Sequence, residues 1–226
     1  MIEYQNLTLI GTSHISPESI KIVQGLIRER KPGFVALELD RGRLHALMEQ
    51  RQRRLSFKDF QKLGFSGFLF AVFGAWIEAR LGKMVGTKPG GEMRAAIIEA
   101  AKIHAKILLI DQEISITIKR LFKTLTFREK MRFVWDLLKG MLGFGEVATF
   151  DLKKVPEAEL IEKLIEQVRE RYPSFYKVLI EERNVVMARK LHLAMQKHPD
   201  VPIVAVIGAG HEKAILELLK ASSSSS

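Results

Sequence analysis

Two short apolar runs, one near each end of the chain, finish in the same way. Leu7-Thr8-Leu9-Ile10 runs into Gly11-Thr12-Ser13-His14, and Ile203-Val204-Ala205-Val206-Ile207 runs into Gly208-Ala209-Gly210-His211. Runs this apolar, with little polar alternation, read as strands buried on both faces, the kind found in parallel sheets covered by helices. Such sheets gather their functional groups at the carboxyl ends of the strands. A third run, Phe34-Val35-Ala36-Leu37-Glu38-Leu39-Asp40, ends in carboxylates on the same expected edge. With these strands central and parallel, the pattern predicts that His14 and His211 face one pocket with Glu38. Two histidines and a carboxylate there suit a divalent metal ion with an open coordination position.

Between these strands the pattern alternates with helices. Ser16-Pro17-Glu18 is a helix start, with a capping hydroxyl, proline at the first position and acid in the first turn. Ile20, Val23, Leu26 and Ile27 form its apolar stripe, and Lys31-Pro32-Gly33 stops it. A basic helix is expected over 41–54, an alanine-rich helix over 92–106 and a strand over 107–110 that ends at Asp111. Two helical segments follow to residue 139, then a glycine-rich break at 140–145 and helices over 156–171 and 174–197. A last helix is expected over 211–220. The fold class is therefore α/β, with a mostly parallel central sheet flanked by helices. One domain covers 1–221 with a helical insertion at about 56–91, and the serine tail 222–226 is left out of the fold.

Composition narrows the chemistry. At 226 residues and 47% apolar content the chain supports one sizeable core. There is no cysteine, which removes disulfides, thiol nucleophiles and thiolate metal sites. No charged segment followed by an apolar one opens the chain, so no secretory signal is expected. The formal charge of +10 collects at 28–31, 41–54 and 119–132. No nucleic-acid-binding signature accompanies it, so a solvated basic surface is the stronger reading and nucleic acid is an unlikely partner. The longest uncharged run, residues 63–77, holds Phe65, Phe68, Phe70, Phe73 and Trp76. It is shorter than the ~20 residues a membrane span needs. It reads as a buried or dimer-interface helix, the alternative being an interfacial segment or substrate lid, and a homodimer is expected on this basis.

Polar residues that interrupt apolar stripes are the remaining candidates. Arg183 lies within the stripe Tyr176, Ile180, Arg183, Met187, Leu191, Ala194. A buried guanidinium is costly unless it meets a carboxylate or a substrate anion, so Arg183 belongs either to a structural ion pair or to a site. Glu92 lies in the first turn of its helix, where the helix dipole favours a carboxylate in any case. Asp111 ends the third strand, and Arg120 follows about two and a half turns on. A dinucleotide loop, a phosphate-binding Gly-Lys-Ser/Thr loop and a nucleophile elbow are all absent.

Several of these residues fall in recognisable blocks. They are Gly-Thr-Ser-His-Ile-Ser at 11–16, Val-Ala-Leu-Glu-Leu-Asp-x-x-Arg at 35–43, Pro-Gly-Gly-Glu-Met at 89–93 and Leu-Leu-Ile-Asp at 108–111. Thr117-Ile118-Lys119-Arg120, Glu182-Arg183-Asn184 and Val-Ile-Gly-Ala-Gly-His at 206–211 complete the series. In this order the blocks resemble the TraB/PrgY family, which is similar to the Tiki peptidases and the erythromycin esterase/ChaN-like group. The resemblance implies an α/β domain whose Gly-x-x-His histidines and glutamates make the active site. Tiki-like members are described as metal-dependent peptidases, and TraB/PrgY members as peptide-pheromone shutdown proteins. Many members carry membrane spans after the domain, which implies a soluble domain on the cytoplasmic side of a membrane-anchored parent. Where the family has Asp-Arg after the third strand, this chain has Asp111-Gln112.

The expectation is therefore a metal-dependent hydrolase, most simply a peptidase. His14, His211 and Glu38 would hold a divalent metal, Glu92 or Glu182 would act as general base, and Arg183 or Arg120 would stabilise the oxyanion or anchor a substrate carboxylate. The alternative is a non-enzymatic peptide-binding or membrane-tethering protein that uses the aromatic run as its contact surface.

Overall fold

The computed structural model describes residues 1–12, 17–49, 90–141 and 165–223. His14, the aromatic run 63–77, the inserted segment up to residue 89, the expected helix end at 50–54 and residues 142–164 lie outside the described residues.

A five-stranded sheet organises them, in the order β1-β2-β5-β3-β4. The strands are β1 (Ile2–Tyr4), β2 (Leu7–Thr12), β3 (Phe34–Leu37), β4 (Lys106–Leu109) and β5 (Ile203–Gly208). All neighbouring pairs are parallel except β1 with β2. The mostly parallel α/β fold read from the sequence is the one observed. β1 was not legible as a separate strand. Gln5 turns the chain at φ 52°, and Ile2 pairs with Leu9 in a hairpin. Asn6 ties that turn down by donating from Nδ2 to the carbonyls of His198 and Val201, each at 2.9 Å.

Helices cover both faces of the sheet. On one face Ile10, Val35, Leu37, Val204 and Val206 pack against Val23, Leu26 and Ile27 of α1 (Pro17–Arg30) and Met93, Ala96 and Ala100 of α3 (Gly91–Lys102). The other face presents Leu7, Leu9, Ala36, Ala205 and Ile207 to α7 (Glu182–Lys197) and α8 (Ala209–Ser223). The central strand β5 is buried along its whole length, which is why its sequence is an unbroken apolar run. α2 (Arg41–Met48) starts at the cap Asp40, whose side chain accepts from Arg43 N–H at 3.0 Å. α4 (Ile114–Thr124), α5 (Phe127–Met141) and α6 (Pro173–Tyr176) form a smaller helical cluster built on Leu121, Leu125, Phe175 and Val178.

Two expectations shift. The helix read over 174–197 is interrupted by a π-helical turn, Lys177–Glu181, between α6 and α7. The buried residues therefore step from Phe175 and Val178 to Asn184, Met187, Ala188 and Leu191, and the α-periodic stripe through Tyr176 and Ile180 is only half-buried. At the other end, α8 continues through Ser222 and Ser223. Their hydroxyls donate to the carbonyls of Leu218 and Leu219, four residues back, so these two serines belong to the helix.

Candidate active site

The parallel strands bring three carboxylates to one edge of the sheet. Glu38 and Asp40 follow β3 and Asp111 follows β4, and all three are buried. Carboxylates in such a place need cations and donors, and the helices supply them. Arg183 of α7 places Nε 3.0 Å from Asp111 Oδ1 and Nη2 2.5 Å from Asp111 Oδ2. Its Nη2 also bonds Glu38 Oε1, and Nη1 donates to Leu179 O at 3.1 Å. Arg43 of α2 spans Asp40 and Asp111, with Nε 2.6 Å from Asp40 Oδ2. The result is a continuous chain of opposite charges, Asp40–Arg43–Asp111–Arg183–Glu38.

Titration follows the geometry. Burial alone would raise the carboxyl of Asp111, but the hydrogen bonds and charges of Arg183 and Arg43 outweigh it and hold that group below the usual carboxylate range. The same balance, struck by burial against Arg43, lowers Asp40. Burial works against the Arg183 cation, yet Asp111 and Glu38 shift it upward overall. The chain ends in a carboxylate on each side, Asp40 at one end and Glu38 at the other.

His211 stands at the Glu38 end. β5 passes directly into α8 without a loop, so His211 falls in the first turn of the helix, buried. Its Nδ1 is 2.5 Å from Asn184 Oδ1. A carbonyl oxygen only accepts, so Nδ1 carries the proton and, in the neutral ring, the lone pair is on Nε2. Nε2 lies 3.4 Å from Glu38 Oε1. The other Glu38 oxygen accepts from Gly208 N–H at 2.6 Å, where the start of α8 favours negative charge.

The glycine of the first Gly-x-x-His packs on the start of the second. A Cβ at Gly11 would lie 3.0 Å from the Ala209 Cα and 2.9 Å from a carboxylate oxygen of Glu212. The first glycine is therefore required by the close passage of the α8 start beside β2. β2 and β5 end in register, Thr12 beside Gly208, and Thr12 Oγ1 donates to Ile207 O at 3.2 Å.

Of the residues singled out from the sequence, the structure brings Glu38, Arg183 and His211 together. Arg120 and Glu182 meet each other instead, Nη2 to Oε1 at 2.6 Å and Nε to Oε2 at 3.0 Å, in a pair that joins α4 to α7. Arg120 lowers the Glu182 carboxyl. Glu92 is buried in the first turn of α3. The preceding Gly90 takes φ 85°, which the Pro-Gly-Gly block accommodates, and Met93 packs into the same apolar cluster as Leu39. His14 lies outside the described residues. Among the described residues no three potential ligands of the His, Cys, Asp and Glu type form one cluster. Asn184 and Arg43 were quoted within sequence blocks but given no role. The available signal for Asn184 was its place three residues before Met187 and seven before Leu191, on the buried face of α7.

The model of the TraB/PrgY/gumN family matches residues 2–223. The chain belongs to this family. Relatives match it in sequence over most of its length. An uncharacterized protein of Methanocaldococcus jannaschii is 36% identical over 220 residues, 95% of this chain and 53% of that protein. The human TraB domain-containing protein is 27% identical over 227 residues, 90% of this chain and 60% of its own length, and the mouse protein matches at the same identity. The chain thus spans a little over half the length of these TraB relatives. Among the described residues no helix is long and apolar enough to cross a membrane.

Proposed function

We propose that this TraB domain is a hydrolase acting on peptides, with its reacting centre between His211 and Glu38. The observation that carries the reading is the close approach of two buried groups, His211 Nε2 and Glu38 Oε1, 3.4 Å apart. Asn184 Oδ1 accepts from Nδ1–H, so Nε2 is the nitrogen turned to the Glu38 carboxylate. In the neutral ring both are acceptors, and a cation between them would stabilise the pair. An Nδ1–H anchored on a carbonyl with Nε2 presented outward is also the usual preparation of a histidine for metal binding. The donor chemistry therefore fits a divalent metal, with His211 and Glu38 as ligands and His14, two residues beyond the end of β2, as the third. Such a metal would polarise a scissile carbonyl and make its bound water more acidic.

The remaining roles fall to this chain's own groups. Arg183 holds the Glu38 carboxylate from one side and Gly208 N–H holds it from the other, which fixes its orientation. Glu92 is the general base of choice, taking a proton from the attacking water and passing it to the leaving amine. Both oxygens of Glu182, the other candidate, are engaged by Arg120.

One observation favours a second reading, a protein that binds peptide without cleaving it. Both Glu38 oxygens already accept hydrogen bonds from Arg183 and Gly208. Elemental mass spectrometry after loading and desalting, run beside a fluorogenic peptide assay, separates the two. Near-stoichiometric metal and hydrolysis in the wild type, both lost in His211→Ala and Glu38→Gln, support the hydrolase. Peptide retained intact by a metal-free wild type would replace it with the binding protein.

A further inference from the structure

The π-turn Lys177–Glu181 joins two stretches of helix that are each anchored elsewhere. Before it, Ser174 N–H donates to Glu129 Oε1 of α5 at 2.8 Å and Ser174 Oγ to Oε2 at 2.6 Å, and Phe175 and Val178 are buried in the small helical cluster. After it, Met187, Ala188 and Leu191 of α7 are buried in the main core on one face of the sheet. The extra residue of a π-turn rotates one stretch of helix against the next by about 100°, so both faces are buried at once. Two contacts tie the turn to the candidate site. Leu179 packs its side chain on the small cluster, and its carbonyl accepts from Arg183 Nη1 at 3.1 Å. Glu182 closes the turn by donating its N–H to Lys177 O, five residues back rather than the four of an α-helix. The Glu182 carboxylate is gripped by Nε and Nη2 of Arg120 from α4. The next two residues are Arg183, which holds Glu38 and Asp111, and Asn184, which orients His211. Backbone register, helical cluster and candidate site therefore meet at Glu182.

We propose that Arg120 and Glu182 are positioning residues: their pair holds the π-turn in the register that aims Arg183 at Glu38 and Asp111, and Asn184 at His211. The Arg120 side chain is 49% exposed and that of Glu182 20%. A pair this exposed adds little to global stability. Choosing between two registers of a single turn takes far less than folding does, and a guanidinium that meets a carboxylate with two nitrogens fixes direction as well as distance. In the α register the Glu182 N–H would turn from Lys177 O to Val178 O. A slip of one residue turns a helix by about 100°. It falls on the first turn of α7, so it would carry the Glu182 carboxylate off Arg120 and Arg183 off Glu38 together. Arg120 and Glu182 therefore act through their neighbours and not on a substrate. The contacts hold with or without a hydrolase; only an effect on turnover rests on that reading.

The test compares the wild type with Arg120→Gln, Glu182→Gln and the double variant by NMR, without added metal or peptide. In each single variant, hydrogen exchange at the Glu182 amide should quicken by about tenfold or more. Rotation of the Arg183 guanidinium about its Nε–Cζ bond should quicken as well, and the His211 ring nitrogens should report a mixture of tautomers. The melt should stay cooperative and within about 4 °C of the wild type, as expected for an exposed pair. Because the two side chains act as a unit, the double variant should be no worse than either single one. Unchanged Glu182 exchange with unchanged His211 shifts in Arg120→Gln would overturn the proposal. So would a lowered melting temperature with the ring spectrum intact, which would leave the pair a simple tie between α4 and α7. Effects that add in the double variant would overturn it too, since the pair itself would not be their cause. A wild type that cleaves no peptide would sink the hydrolase reading, while the NMR signals still decide the positioning role.

Discussion

Arg183 meets Asp111 with two nitrogens, Nε at 3.0 Å from Oδ1 and Nη2 at 2.5 Å from Oδ2. The planar fork of the guanidinium thereby locks α7 to the end of β4, and the nitrogen left half-used by Asp111 reaches Glu38. Lysine offers a point charge in place of this fork, so the exchange is not conservative.

Arg183→Met should therefore be severe. It leaves Glu38 and Asp111 buried with one fewer cation, for which a loss of about 3–5 kcal/mol is expected. Urea unfolding at pH 7 measures it. A loss below about 1 kcal/mol would mean that water or a neighbouring cation replaces the guanidinium.

Asn184→Ala should act on the histidine ring. Without the carbonyl, Nδ1–H loses its acceptor in a buried place, at a cost of about 1–3 kcal/mol. Ring nitrogen chemical shifts of His211 should move from a single Nδ1–H form to a mixture of tautomers. Under the metal reading, affinity falls by about 10–100-fold. An unaltered ring spectrum would show that the tautomer is set by some other group.

Gly11→Ala tests the contact between the two Gly-x-x-His blocks. The added methyl meets the Ala209 backbone, which has to move, and overpacking of this kind costs about 1–3 kcal/mol. The displaced α8 start carries His211, so the Nδ1 contact to Asn184 should lengthen and, under the metal reading, metal retention should fall. A wild-type melting temperature would contradict the close approach.

Glu99 provides the pH prediction. Hydrogen bonds from Arg28 and Lys102 pull its carboxyl down from 4.5 to about 2. A carboxyl held lower in the folded chain than in the unfolded one stabilises the fold above the unfolded value. That contribution disappears as pH falls from 4.5 toward about 2. Glu99→Gln should flatten the pH dependence of the urea midpoint across this window. An unchanged slope would assign the acid sensitivity to other carboxyls, Asp111 first among them.

Fold class and the convergence of Glu38 with His211 were legible because unbroken apolar runs mark buried parallel strands, and parallel strands share one carboxyl edge. Arg183 was legible as an intruder in an apolar stripe, though not its partners, since Asp111 is 72 residues away in sequence and periodicity carries no information about pairing across elements. Asn184 was passed over because its neighbour Arg183 fits the same α-periodic count back from Met187 and Leu191, although Asn184 is the one buried with them. β1 was merged with β2 because its two-residue turn uses Gln5 and Asn6, neither of them glycine. The Arg120–Glu182 pair shows the limit of block recognition. Two residues in matching blocks met each other rather than Glu38.

The sheet's middle strand, β5, is also the last to leave the ribosome. Until residues 203–208 arrive, β2 and β3 have no common neighbour to pair with, and the sheet cannot close. Facing edges of β2 and β3 therefore wait for a partner that arrives about 165 residues after β3, a long-range closure that favours slow, late sheet formation. His211 follows three residues after that strand, so it meets Glu38 only when the sheet is finished.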